Sequence, residues 1–347
     1  MVVPAVPGMT DVRPPSWLAE LLGVELPPEG SEFMLGGRPF RMAAGIPRDS
    51  AVPSATQAQT SEVFAFLWQK ETFHGPRSLS VLRTWYAERY GNVADAAWWD
   101  SYGPAPLLLD AGCGAGMSSL ELFGARLDQV RYLGVDISAA VDRAQARFSE
   151  QGLLGAFLQT DANHLPLPPE SVDVIFSQGA LHHTDSTEDA FTSLARLLKP
   201  GGRFLFYVYR GKGPVREFTD DEVRGHLGTM SLDDAWEALI PLTRFGQYLG
   251  DLDIEIDVPE SIEFLDIPSG PISLQRFFYR HIAKAFYHPN LTLEEMNHIN
   301  FDWYLPANAH RHTSEDVRAW CADAALEIEH ESLQPAGITV IARRALA

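Results

Sequence analysis

Between residues 107 and 209, short apolar runs alternate with longer amphipathic stretches. Five apolar runs predict strands at 107–110, 131–136, 155–160, 172–177 and 203–209. Amphipathic stretches predict helices from about 117, over 139–151 and over 186–198, the last with Asp185 and Glu188 as its capping pair. Strands that alternate with helices at this spacing predict an α/β fold with a doubly wound, mostly parallel sheet.

The pattern changes on both sides of this block. Residues 1–60 are rich in proline and predict a short helix around 17–22 and a small β-ribbon over 32–41, with Gly36 and Gly37 at its turn. Residues 60–100 predict aromatic-rich helices, and 313–347 predict a helix to about Ala325 followed by strands at 326–333 and 337–343. We therefore divide the chain into an N-terminal extension (1–60), an α/β core (61–210), an insertion (211–312) and a closing helix and hairpin (313–347).

The insertion interrupts the sheet pattern for about a hundred residues. Connections of that length inside a domain are usually functional. Its position places it over the carboxyl edge of the strands, where open α/β sheets bind ligands. We predict that residues 211–312 form a helical and irregular cap over a substrate.

A glycine-rich turn follows the first strand of the core. Asp110 ends the strand, Gly112, Gly114 and Gly116 follow at alternate positions, and a helix is predicted from Met117. A buried strand that breaks into such a turn lets backbone N–H groups approach a small ligand. The dinucleotide fingerprint requires glycine or alanine where this chain has Met117, so the spacing points away from a dinucleotide.

The segment Asp-Ala-Gly-Cys-Gly-Ala-Gly at 110–116 resembles motif I of the class I S-adenosylmethionine-dependent methyltransferases. The resemblance extends over about residues 60–345, and it is closest to the small-molecule subgroup of methyltransferase type 11. It implies a Rossmann-like fold with a seven-stranded sheet and S-adenosylmethionine as cofactor. It also implies that Asp136 accepts the ribose hydroxyls and that Asp161 meets the adenine amino group. The full set of implied cofactor-binding residues is Asp110, Gly112, Cys113, Gly114, Gly116, Asp136, Ile137, Asp161, Ala162, Ser177 and Gln178.

Two further segments resemble parts of this family. Residues 64–73 resemble the helix that lies over the cofactor, and we assign Trp68 within it to substrate binding. The alternative for these residues is a stripe of aromatic side chains in the core. Residues 40–48 resemble the β-ribbon that precedes many related methyltransferases, but they lack the cysteines with which that ribbon binds zinc.

Methyl transfer from a sulfonium is a direct displacement, so the protein mainly aligns the acceptor with the methyl group. A general base is needed only when the acceptor carries a proton of high pKa. His182 and His183, in the loop that the resemblance places under the sulfonium, are the candidates for that base. The alternative is that the two histidines have a structural hydrogen-bonding role.

The second candidate cluster lies just before the last helix, at 300–313. Tyr304 and His310 are predicted to contact the substrate. In the alternative reading, His312 and Thr313 cap the helix and Trp303 packs in the core. His310 and His312 lack a neighbouring carboxylate or cysteine in a recognisable metal-ligand pattern, so we predict no metal site.

Composition limits the classes of partner. The chain has 27 Lys and Arg against 46 Asp and Glu, a net charge of 27 − 46 = −19, and no basic run, so we predict binding neither to nucleic acid nor to a membrane. Cys113 and Cys321 suggest neither a disulfide framework nor a metal site. Residues 1–9 lack the features of a signal peptide, and we expect a cytoplasmic protein. The acidic residues of 251–266 would suit a cationic substrate or, more simply, form a solvated edge.

The sequence therefore predicts methyl transfer from S-adenosylmethionine to a small organic acceptor bound under the cap. A carboxylate, phenol, amine or carbon nucleophile would each fit. One alternative is a regulatory protein that binds S-adenosylmethionine without methyl transfer. The other is a related enzyme in which S-adenosylmethionine donates another group or assists a different reaction. The residues do not fix the oligomeric state, and a homodimer is compatible with them.

Overall fold

The computed structural model describes residues 13–70, 72 and 75–346. The first nine residues and Phe73, which the sequence analysis mentions, lie outside this part. The strands are β1 (Glu32–Leu35), β2 (Arg38–Ala43), β3 (Ile46–Asp49), β4 (Leu107–Ala111), β5 (Arg131–Asp136), β6 (Gly155–Gln159), β7 (Val172–Gln178), β8 (Leu198–Tyr209), β9 (Glu255–Val258), β10 (Gly270–Ser273), β11 (Leu326–Leu333) and β12 (Gly337–Arg344). The helices are α1 (Ser16–Leu22), α2 (Ala55–Gln69), α3 (Pro76–Tyr90), α4 (Met117–Phe123), α5 (Ala140–Glu150), α6 (Thr187–Ala195), α7 (Pro214–Leu227), α8 (Leu232–Asp251), α9 (Leu274–His281), α10 (Leu293–Tyr304) and α11 (Ser314–Asp323).

The strands of the core form one twisted sheet in the order β6-β5-β4-β7-β8-β12-β11, in which all pairs from β6 to β8 are parallel. The last two strands are antiparallel, since β12 pairs with both β8 and β11. This arrangement confirms the predicted doubly wound α/β class. The predicted count of seven is exceeded, because β1, β2 and β3 of the extension join the edge at β6 and extend the sheet to ten strands.

The central strand β4 is buried along its whole length, which explains the apolar run at 107–109. Asp110, which follows that run, is buried as well. Leu108 faces the side of the sheet covered by α2 to α5, and Leu107 and Leu109 face the side covered by α1, α6 and α11. Each face buries a large apolar cluster. The sheet is therefore a rigid platform whose strand ends meet at one edge.

One local prediction differs from the structure. The N-cap of α6 is Ser186, whose hydroxyl accepts from the Asp189 backbone N–H, and not the predicted Asp185. Asp185 instead accepts hydrogen bonds from the Thr56 hydroxyl and the Asn308 side chain, both at 2.8 Å. These long-range partners tie the α6 entry to α2 and to the segment before α11, and a local capping rule cannot anticipate them.

The insertion folds as four helices and a small two-stranded sheet of β9 and β10. Helix α10 packs on α8 through a buried polar contact, in which the Thr243 hydroxyl donates to Asn297 Oδ1 at 2.7 Å. Asn300 Nδ2 donates to the same hydroxyl at 2.9 Å. Helix α10 also contacts α2, so the insertion rests on the core beside the carboxyl edge of the sheet.

Candidate functional site

The glycine turn is fixed to the neighbouring strand by its own backbone. The N–H groups of Gly112 and Cys113 both donate to Val135 O of β5, at 2.7 and 2.9 Å. Gly112 has φ +80°, and a Cβ there would lie 2.1 Å from the Cβ of Ala180. Glycine is required at this position, because any side chain would be strained and would collide with the loop after β7.

Asp136, at the end of β5, holds the turn from the other side. Its Oδ2 accepts from the Gly114 N–H at 2.8 Å, and its Oδ1 accepts from the Ser138 backbone and hydroxyl at 2.8 and 2.6 Å. Burial raises the pKa of Asp136, and the hydrogen bonds from Ser138 and Gly114 oppose that rise. The carboxylate thus fixes the loop and also lines the cavity beside it.

The first cavity, of about 120 Å³, lies at the carboxyl ends of β4, β5, β6 and β7. Asp161, after β6, lines it and caps a short turn through the Asn163 N–H at 2.9 Å. Helix α2 covers the opposite side with Phe64 and Trp68. A Cβ on Gly114 would lie 2.7 Å from the Trp68 ring, so the indole rests directly on the glycine turn. The predicted cofactor residues that line this cavity are Gly112, Gly114, Asp136, Ile137, Asp161, Ala162 and Gln178.

Four residues of the predicted set lie outside this lining. Asp110 is buried and accepts from the hydroxyls of Ser119 and Tyr132, at 2.6 and 2.7 Å, and burial raises its pKa to about 6. Ser177 is also buried, and its hydroxyl donates to Ala111 O. The other two are Gly116 and Cys113. Asp110 and Ser177 therefore support the strand ends from within.

Gly116 and Cys113 have different surroundings. Gly116 packs against α5, where a Cβ would lie 3.2 Å from the Phe148 ring. Cys113 lines a second cavity on the other side of the glycine turn, and burial raises the pKa of its thiol well above the usual value. The glycine turn thus has the first cavity on one side and the second cavity on the other.

The second cavity has a volume of about 550 Å³ and is walled by β8, α3 and the insertion. It adjoins the first cavity across five residues that line both: Phe64, Trp68, Gly112, Gln178 and Gly179. Gln178 is held in place by the Tyr90 hydroxyl, which donates to its Oε1 at 2.8 Å. Trp68, predicted to bind substrate, stands at this junction.

His183 lies at the edge of the first cavity. Its Nδ1 is 2.6 Å from Asn308 O, and since a carbonyl only accepts, Nδ1 carries the proton. Its Nε2 lies 3.9 Å from Asp302 Oδ1, and Asp302 lines the second cavity. Burial lowers the pKa of His183 to about 4, although Asp302 opposes the shift. The ring is therefore neutral at pH 7, with its proton on Nδ1 and none on Nε2.

His182 is fully buried and lines neither cavity. Its ring stacks on Tyr209, with 3.7 Å between the ring centroids, and neither ring nitrogen has a hydrogen-bond partner in the part of the chain that the structure describes. Burial, and next to it His183, lowers its pKa well below 6.5. The predicted alternative of a structural role fits this residue, and the structure gives its ring no access to a ligand.

Tyr304 and His310, predicted to contact substrate, also lie outside both linings. The Tyr304 hydroxyl donates to Asp220 at 2.9 Å in the interior of the insertion. His310 Nε2 lies 3.0 Å from Thr184 O. Both side chains form hydrogen bonds within the protein, so we expect them to support the site without contacting a ligand.

Several residues that line the second cavity have no role predicted from the sequence. The string at 300–313 contains Asp302 and Trp303, but nothing in it distinguishes them from its other polar and aromatic members. Arg89, Lys284 and Arg216 carried no motif at all. In the described part of the chain no cluster of histidine, cysteine and acidic residues could hold a metal ion, and no helix is long and apolar enough to cross a membrane.

Comparison with known proteins identifies the core. Residues 109–206 match the family model described as a methyltransferase domain. The 27-O-demethylrifamycin SV methyltransferase of Amycolatopsis mediterranei is 30% identical over 147 residues, which cover 36% of this chain and 53% of that protein. The malonyl-[acyl-carrier protein] O-methyltransferase of Yersinia pestis is 35% identical over 101 residues, 29% of this chain and 35% of that protein. The chain thus spans about half the length of the first relative and a third of the second.

Among solved structures, magnesium protoporphyrin IX methyltransferase from Synechocystis PCC 6803 with bound S-adenosylhomocysteine is 15% identical, with a TM-score of 0.44. That alignment covers 83% of this chain and 98% of the other. The matched residues 109–206 contain the glycine turn, Asp136, Asp161 and the loop after β7. Residues 109–206 thus form a methyltransferase domain, and these matches support the class I S-adenosylmethionine-dependent methyltransferase family, with S-adenosylmethionine as its cofactor.

Proposed function

We propose that this chain transfers a methyl group from S-adenosylmethionine to a small organic acceptor by direct displacement. The observation that carries the proposal is the contact between the two cavities across Gly112, Gln178 and Gly179. One cavity has the groups that suit the cofactor, and the other is larger and is walled by the insertion. An acceptor in the second cavity would meet the cofactor at this junction.

The first cavity fits the cofactor on the evidence of its own residues. Glycines 112 and 114 leave backbone exposed where a side chain would collide with its neighbours. Asp136 and Asp161 provide carboxylates at two adjacent strand ends for the ribose hydroxyls and the adenine amino group. When bound, S-adenosylmethionine supplies an electrophilic methyl group on a sulfonium.

The contribution of the chain is mainly alignment. Phe64, Trp68 and Gln178 line both cavities where they meet. Gln178 is held in place by its hydrogen bond from the Tyr90 hydroxyl. Such positioning lowers a barrier by up to about 7–11 kcal/mol when the reacting atoms are well aligned. Of the two predicted bases, we retain His183, because it lines the first cavity and its neutral Nε2 has a lone pair. We assign His182 to the support of Tyr209.

The proposal has two separable tests. Calorimetric titration with S-adenosylhomocysteine tests the cofactor cavity, and we expect binding by the wild type and weaker binding by Asp161→Ala. Incubation with S-adenosylmethionine labelled in the methyl group and a small-molecule extract tests the transfer, and we expect labelled small molecules. Cofactor binding with no labelled product from any extract would leave a binding protein and refute the transfer.

A further inference from the structure

The second cavity concentrates positive charge in an acidic chain. Six of its lining residues are cationic, and only Glu88 and Asp302 are acidic, so its formal charge is 6 − 2 = +4. The whole chain carries −19. The cationic residues are Arg89, Lys212, Arg216, Arg276, Arg280 and Lys284. A cluster of positive charges in a negatively charged chain indicates either that protein groups neutralise it or that it binds a ligand.

Two of the six have protein partners. Arg216 is buried and pairs with Asp220, with 2.7 Å between Arg216 Nε and Asp220 Oδ2. Lys212 Nζ donates to Pro335 O and Ala336 O, at 2.6 and 2.9 Å. These contacts account for the two side chains as parts of the cavity wall.

The other four have no carboxylate within 4.0 Å in the part of the chain that the structure describes. Arg89 stacks on Tyr207, with 4.0 Å from the guanidinium carbon to the ring centroid. Lys284 Nζ lies 4.7 Å from the centroid of Trp303, and the side chain is only 6% exposed. Arg276 and Arg280 lie one turn apart on α9, where like charges repel. Aromatic faces hold Arg89, Arg276 and Lys284 without neutralising them.

The electrostatics of Lys284 agree with this picture. Burial lowers the pKa of its ammonium to about 7, Asp302 opposes the shift, Arg216 adds to it, and Asp220 opposes it. A buried cation without a counter-ion is costly, and an anion that entered the cavity would stabilise it.

We propose that the acceptor is an organic anion, in which a carboxylate or phosphate is held by Lys284, Arg89, Arg276 and Arg280 while an apolar, ring-bearing body packs on the aromatic walls. Trp85, Tyr279, Phe286 and Trp303 form those walls. A protonated amine is excluded as acceptor by the same charge. This inference rests on the proposed function, since it names the substrate class of that cavity.

The test uses four naphthalene probes of nearly the same shape: 1-naphthoate, 1-naphthyl phosphate, 1-naphthylmethanol and 1-naphthylmethylammonium. Each is titrated calorimetrically into the full chain, with and without saturating S-adenosylhomocysteine. We expect both anions to bind at least about tenfold more tightly than the alcohol, because hydrogen bonds to charged groups are the stronger class. The ammonium should bind most weakly, and added salt should weaken the anions alone.

Variants locate the site. Arg276→Gln and Lys284→Met should each reduce the preference for the anions by about tenfold. Arg244→Gln removes an exposed cation of α8 that lines neither cavity, so it serves as the matched control. Whichever anion binds more tightly identifies the head group. Equal binding of the alcohol and the anions, or the same loss in Arg244→Gln, would overturn the proposal. Failure of S-adenosylhomocysteine to bind would refute the proposed function alone, because the titrations without it still report on the anion site.

Discussion

The buried carboxylate of Asp220 is the most consequential polar group of the insertion. Its Oδ2 accepts from Arg216 Nε and from Trp303 Nε1, both at 2.7 Å. Its Oδ1 accepts from the Tyr304 hydroxyl at 2.9 Å and from the Lys284 N–H at 3.4 Å. All four partners are donors, and Asp220 is fully buried. One side chain therefore connects α7, α10 and the segment that carries Lys284.

Asp220→Asn keeps the shape of this group but removes its charge and one of its two acceptors. At least one donor must then face an NH₂ group, and the buried Arg216 guanidinium loses its carboxylate partner and keeps its hydrogen bond to Tyr279 O. Removal of one partner from a buried ion pair costs about 3–5 kcal/mol. With a slope of about 3 kcal/mol/M, that loss moves the urea midpoint down by about 1–1.7 M.

Equilibrium urea unfolding, followed by circular dichroism and by tryptophan fluorescence, measures this change. Asp221→Asn is the matched control, because the neighbouring Asp221 is 61% exposed and pairs with Arg311 at 2.6 Å. Exposed ion pairs contribute about 1 kcal/mol or less. A free energy of unfolding for Asp220→Asn within about 1 kcal/mol of the wild type would refute the reasoning.

Three further predictions concern the core. In urea unfolding, Gly112→Ala should lose about 1–3 kcal/mol more free energy of unfolding than Gly179→Ala. Both glycines have positive φ, but only at position 112 would a Cβ collide with a neighbour. Equal losses in the two variants would contradict this. Asp136→Asn should weaken S-adenosylhomocysteine binding about 10- to 150-fold in calorimetry, and Asp142→Asn, remote from the cavity lining, should not. The pKa of His183 is about 4 in the folded protein and 6.5 in the unfolded chain. Its contribution to the free energy of unfolding, up to about 3 kcal/mol, is therefore complete above pH 6.5 and is lost as the pH falls toward 4. The stability difference between wild type and His183→Gln should change over that range, and a difference independent of pH would refute the assigned pKa.

The core could be predicted because its signals are local. A strand, a glycine turn and a helix are adjacent in the chain, and Asp136 and Asp161 each end a strand that the hydrophobic pattern marks. Parallel topology then brings those strand ends to one edge. The edge position of the extension was not predictable in this way, because β3 joins β6 through Arg48 and Gln159, which are far apart in sequence.

The roles of the polar residues in the insertion could not be predicted from the sequence. Arg216 and Asp220, four residues apart, have the spacing of an ordinary surface ion pair on a helix, yet their side chains are 2% and 0% exposed. Tyr304 lies just before Pro306 and a loop with two histidines, which suggests a ligand contact, but its hydroxyl donates to Asp220. Burial of these residues depends on the packing of α7, α9 and α10 against one another, which no short motif encodes.

The cations of the second cavity therefore divide into two groups with different roles. Arg216 and Lys212 are satisfied by Asp220 and by backbone carbonyls, so they hold the insertion together. Lys284 and Arg276 have no carboxylate within 4.0 Å among the described residues, so they are the cations that we expect an anion to pair with. Stability and acceptor choice thus depend on different side chains of one wall. It follows that Asp220→Asn should lower stability without creating a preference for neutral probes, whereas Arg276→Gln should change probe preference and leave the urea midpoint nearly unchanged.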